Sequence, residues 1–93
     1  MGEPRVVDNP PELRYEIWVD DHRAGEIRYI LDGEVVTMVH TEVDPADEGA
    51  GLGQTLVAGA LDDVRAQGRR VRPMCPFVAK YVARHPDYAD LVA

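Results

Sequence analysis

The chain is poor in cysteine, in basic residues and in long apolar runs, and each shortage excludes something. Cys75 is its single cysteine, so no internal disulfide can form and the fold must rest on a packed core. Ten Lys and Arg stand against 17 Asp and Glu, a formal net charge of -7. That balance opposes binding to nucleic-acid phosphates and to anionic membrane surfaces, both of which need clustered cations. No apolar run approaches the roughly 18 residues that span a bilayer. Residues 1–11 are polar and carry prolines, with no apolar signal core, so a cytoplasmic location is expected. What is present, 45% hydrophobic residues in 93, is the ordinary proportion of one small globular domain.

Asn9-Pro10-Pro11 interrupts regular structure, so residues 1–12 read as a loose leader and 13–93 as the domain. Leu13, Tyr15, Ile17 and Val19 alternate with Arg14, Glu16, Trp18 and Asp20, the period of a half-buried strand. A turn over 20–25 then leads to a second strand marked by Ile27, Tyr29 and Leu31. Asp32-Gly33 signals a hairpin into a third strand over 34–43. On that strand the alternation places Thr37, Val39, Thr41 and Val43 on one face and Met38, His40 and Glu42 on the other. After Pro45 the period changes: Leu52, Leu56, Val57, Ala60, Leu61 and Val64 fall at helical spacing, with Gly68 placed as the C-terminal cap. Residues 70–75 read as a fourth strand, and Pro76 starts a second helix through Phe77, Val78, Tyr81 and Val82 that His85-Pro86 stops. The expected fold is α/β in the mixed α+β sense, order β-β-β-α-β-α: an antiparallel meander followed by a parallel β-α-β crossover.

Between the third strand and the long helix lies Gly49-Ala50-Gly51-Leu52-Gly53. The first amides of a helix have no intrahelical partner, and glycines let an anion come close to them. A Walker loop needs Lys and then Ser or Thr after its last glycine, whereas Gln54 and Thr55 follow here. The dinucleotide fingerprint needs G-x-G-x-x-G, and this loop reads G-x-G-x-G. A tight turn that binds nothing has the same appearance.

Glu48-Gly49-Ala50-Gly51-Leu52-Gly53, preceded by His40-Thr41-Glu42-Val43-Asp44-Pro45, resembles the loop and leading strand of the GNAT N-acetyltransferases. Cys75-Pro76-Phe77-Val78-Ala79-Lys80-Tyr81 and Arg84-His85-Pro86-Asp87-Tyr88 resemble a very short, YjdJ-type subgroup. The resemblance implies acetyl-CoA as cofactor, its pyrophosphate on the amides of Glu48 to Gln54, including Ala50 and Leu52. It further implies that a backbone amide near Val43 polarises the thioester carbonyl, and that Glu42, Cys75, Pro76, Phe77 and Tyr81 belong to the cofactor-binding set. Glu48 departs from the family's Gln or Arg. The two helices that full-size members insert between their first two strands, and that help build the acceptor pocket, are missing.

Glu42, or His40, is the candidate base for an incoming amine, though a solvated sheet face is the plainer reading of both. Cys75, at a strand end just before a helix start, is a candidate nucleophile; a small buried hydrophobe accounts for it equally well. Tyr81 falls about one residue from where the family often places a proton donor for the leaving thiolate, and it also completes an apolar helix face. No metal site is expected. The function expected is N-acetyl transfer to an unidentified amine. The alternatives are an acyl-CoA-binding module or carrier acetylated on Cys75, and an interaction domain whose loop binds nothing.

Overall fold

Among residues 2–93, which the computed structural model describes, five strands and two α-helices follow one another. β1 (Arg5–Asn9), β2 (Arg14–Val19), β3 (His22–Asp32) and β4 (Val35–Val43) precede α1 (Leu52–Ala66), β5 (Arg70–Pro73) and α2 (Pro76–Arg84). The sheet has the order β1-β2-β3-β4-β5; it is antiparallel through β4, and β5 joins β4 in parallel after the α1 crossover. The expected meander and crossover are both present. Ile17, Ile27, Met38, Leu56, Leu61, Val64 and Val71 are fully buried in one core. Gly68, with φ +68°, closes α1: its amide reaches Arg65 O and the next amide, Arg69 N, reaches Val64 O, both at 3.0 Å. Among the described residues, no helix is long and apolar enough to cross a membrane.

Within the expected loose leader, 1–12, residues Arg5–Asn9 instead form a strand, and Met1 lies outside the described residues. β1 pairs with β2 along its whole length, from Arg5 opposite Trp18 to Asn9 opposite Arg14. Pro10 and Pro11 do end a strand, but one that has already formed, and they do so within a 3-10 turn, Pro10–Glu12. β1 also accounts for Gly59 in the middle of α1. A Cβ there would lie 2.7 Å from Val6 Cγ2, so glycine makes room for the strand, at a helix-propensity cost of roughly 1 kcal/mol.

The expected turn over 20–25 contracts to Asp20 and Asp21, and His22 to Gly25 belong to β3. Polar letters hid this, yet Ala24 is fully buried and Gly25 lies hard against β4. A Cβ on Gly25 would stand 2.7 Å from the Glu42 carbonyl oxygen and 3.3 Å from Val43 Cα. Backbone cannot swing aside as a side chain can. Gly25→Val is therefore expected to destabilise the fold by roughly 2 kcal/mol or more through overpacking. Thermal unfolding measures this, and an unchanged midpoint would mean that β3 and β4 have slack here.

β4 carries a bulge. Tyr29 pairs with Met38 and Arg28 with His40, which leaves Val39 as an extra residue. The strict two-residue alternation expected for this strand therefore fails at Val39. Val36 and Met38 are buried in the core, and beyond the bulge it is Thr41 and Val43 that turn toward α1, while His40 and Glu42 are exposed.

Candidate functional site

β4 and β5 pair only from Val35–Arg70 to Met38–Pro73. The Met38 carbonyl then accepts from two successive amides, Met74 N at 3.0 Å and Cys75 N at 2.9 Å, which steers the chain off the sheet and into α2. Past that point the β5-side edge of β4 has no strand partner among the described residues, and a wedge opens between β4 and the start of α2.

The glycine loop sits at the mouth of this wedge. Asp44 starts it by accepting from Ala46 N at 3.0 Å, and a 3-10 turn, Pro45–Asp47, follows. His22 Nε2, 2.8 Å from Asp47 Oδ2, ties the turn to the beginning of β3. Gly49 and Gly51 have φ of +88° and +73°, the left-handed region that residues with a Cβ disfavour. A Cβ on either would meet nothing within 4 Å, so backbone conformation alone demands glycine and the space in front of the loop is open. α1 begins with Gly51 as its cap, and no side chain caps it with a hydrogen bond. Gly53 is different: it is buried, and its missing Cβ would touch the Phe77 ring at 2.8 Å.

A cavity of about 500 Å³ lies over this loop, walled by Thr41, Val43, Glu48, Gly51, Gln54 and Phe77 among others. A second, of about 580 Å³, lies on the side of β4 away from α1, against Arg23, Glu26, His40 and Glu42. Thr41, Val43 and Glu48 line both cavities. Of the residues expected at the site, Glu48, Gly49, Gly51, Leu52, Gly53, Gln54, Val43 and Phe77 thus gather around the first cavity. Glu42 faces the second, together with His40. Ala50 is exposed between the glycines, and Pro76 opens α2 as expected.

Cys75 is buried at the N-terminus of α2, with Sγ 3.3 Å from Thr41 Oγ1. Burial pushes its thiol pKa up, but the Thr41 hydroxyl and the amides of Val78, Phe77 and Thr41 outweigh that and hold it below the ordinary value. Tyr81 is not brought to Cys75 or to the glycine-loop cavity. It stacks on His85 at 3.9 Å and borders a third, smaller cavity. Burial, and then Asp87 and Asp62, raise its pKa. Sequence reasoning missed Thr41 as a site residue. It contacts Cys75 and belongs to both cavities, but the bulge at Val39 concealed which way it points.

A meander, a glycine-capped crossover helix and a parallel pair that parts beside it make up an N-acetyltransferase fold. Residues 14–91 match the family model described as GCN5-related N-acetyl-transferase, and the chain belongs to that family. β1 lies outside the matched stretch. Among solved structures, the solution structure of a GCN5-like candidate N-acetyltransferase from Staphylococcus aureus is similar at TM-score 0.70 and 22% identity, over 96% of this chain and 87% of that one. The ribosomal-protein-S18-alanine N-acetyltransferase from Escherichia coli is similar at TM-score 0.64 and 16% identity, over 83% of this chain. A GNAT-family protein from Desulfovibrio desulfuricans is similar at TM-score 0.54 and 24% identity, over 82% of this chain. The match spans only 53% and 52% of these last two proteins.

Proposed function

We propose that the chain binds acetyl-CoA over the glycine loop and transfers the acetyl group to an amine that approaches from the other side of β4. The observation that carries this reading is the shared wall: Thr41 and Val43 border both cavities, so a thioester in one lies next to an acceptor in the other. The pyrophosphate takes the loop amides leading into the uncapped start of α1, favoured by the helix dipole. The unpaired edge of β4 near Val43 offers the thioester carbonyl an amide donor where negative charge develops. The amine nitrogen attacks the carbonyl carbon as the C–S bond breaks. Glu42 or His40, on the acceptor side, accepts the proton that the nitrogen sheds. The CoA thiolate takes up a proton as it leaves. The cytoplasm is the location that goes with this reading, with neither nucleic acid nor membrane as partner.

One observation favours a second reading, a carrier acetylated on Cys75. The thiol sits at the wedge, and its pKa is held down despite burial. Both readings are tested together by calorimetric titration with acetyl-CoA, intact-mass measurement after incubation, and thiol release over a panel of amines. Direct transfer predicts that Cys75→Ser keeps both CoA affinity and amine acetylation. The carrier reading predicts one added acetyl mass, removable by hydroxylamine and absent in Cys75→Ser, with little thiol release. Absence of CoA binding would defeat both and leave an interaction domain.

A further inference from the structure

A cavity of about 150 Å³ adjoins the glycine-loop cavity, set between the start of α1 and the length of α2. Gln54 and Phe77 line both, so the two spaces lie side by side. Its remaining walls are Lys80, Tyr81, Arg84 and His85. Lys80 and Arg84 are four residues apart on α2 and so share a face.

Several cations of this acidic chain are already committed. Arg14 is ion-paired with Glu16, Arg28 with Glu26, and Arg65 with Asp90. Lys80 and Arg84, by contrast, have no ion pair and no side-chain hydrogen bond among the described residues. His85 donates from Nδ1 to the Tyr81 carbonyl at 2.8 Å and lies flat on the Tyr81 ring, which fixes one wall. Of the carboxylates that act on Tyr81, Asp62 is held by the Tyr88 hydroxyl at 2.8 Å. The glycine-loop cavity itself has no cation in its lining, only Asp47 and Glu48 as charged groups.

We infer that this cationic corner receives a phosphate monoester dianion, which, on the reading of the previous subsection, is the 3′-phosphate of CoA. The pyrophosphate is met by neutral amides, which suit any nucleotide diphosphate. The monoester is met by an ammonium and a guanidinium, which select the nucleotide that carries it. The two cations also offset the acidic loop for a ligand that is itself anionic.

The test is titration of wild type and of a Lys80→Gln/Arg84→Gln double variant with CoA and with 3′-dephospho-CoA. Both side chains are exposed, so the fold should not depend on them. Wild type should bind CoA roughly fivefold or more tightly than the dephospho form, a preference that shrinks as salt rises. The double variant should bind the two equally, at the affinity wild type shows for dephospho-CoA. Equal binding by wild type, or a preference that survives in the double variant, overturns the inference while leaving the CoA reading intact. If neither nucleotide binds wild type, the CoA reading fails, and the inference fails with it.

Discussion

Gly51→Val should leave the chain folded and weaken CoA binding about a hundredfold, the loss of one or two charge-assisted amide contacts. Gly51 sits at φ +73° with nothing within 4 Å of a Cβ, so the substitution meets no wall. It meets backbone strain instead, roughly 1–2 kcal/mol for a left-handed residue and more for a β-branched one. The loop escapes that strain by changing its path, and the amides at the start of α1 then no longer converge on one point. Gly68 supplies the control. It has φ +68°, also has nothing within 4 Å, and sits at the opposite end of the same helix. Gly68→Val should therefore match the loss of stability and keep CoA affinity. Calorimetry on both variants, alongside thermal unfolding, separates the two effects. Unchanged affinity in Gly51→Val, or an equal loss in both, removes the loop from the binding site.

Glu16→Ala should cost about 3 kcal/mol of stability, because it strands buried partners of a charge network. Glu16 is only 5% exposed, on the sheet face away from α1. It accepts from Arg14 Nε at 2.6 Å and from Asn9 Nδ2 and Trp18 Nε1 at 3.0 Å. Glu26 stands directly opposite and is itself buried. Two facing carboxylates repel, and the arginines offset this: Arg14 also lies 3.7 Å from Glu26, and Arg28 lies 2.7 Å from it. Burial alone would raise the Glu16 pKa, but the bonds from Asn9, Arg14 and Trp18 outweigh it and bring the carboxyl down to about 2. A pKa depressed on folding gives stability that is complete above the unfolded value, near 4.5, and is lost as pH falls toward 2. The gap in unfolding free energy between wild type and Glu16→Ala should accordingly be widest near neutrality and narrow through that window. Urea melts at a series of pH values measure it, and a gap that does not change with pH would mean that the carboxylate charge is not what stabilises the network.

Features that depend on local chemistry were legible in the sequence. Helical spacing from Leu52 to Val64, Gly68 as the C-terminal stop, Pro76 as a helix start and the glycine loop all follow from one stretch of chain, and each is found where it was expected. What escaped depended on a partner distant in sequence. β1 is five residues long and borders a proline pair, so nothing local marks it; its reason for existing is β2 on one side and Gly59 on the other. His22 and Arg23 look like turn residues because they are exposed, yet they pair with Val19 and Trp18. The bulge at Val39 left no trace in a strand rich in β-branched residues, and relative to Met38 it reversed the face on which Thr41 and Val43 were placed. Buried glutamates at 16 and 26 read as ordinary outward positions, since their burial comes from arginines and a tryptophan folding over them.

The parting of β4 from β5 also bears on how the chain folds and fluctuates. Successive antiparallel strands are joined by Asp20-Asp21 and Gly33-Glu34, so the meander closes by small loops of little entropic cost. β5 can dock only after all of α1 has been laid down, and it is then held to β4 by a short parallel pairing. That ladder is consequently expected to form late and to open early. Amide hydrogens of Arg70 to Arg72, and of β4 beside them, should exchange faster than those shared by β2 and β3. The site thus borders the least cooperative seam of the sheet, where a pantetheine arm inserted beside β4 would act as a missing strand and slow that exchange.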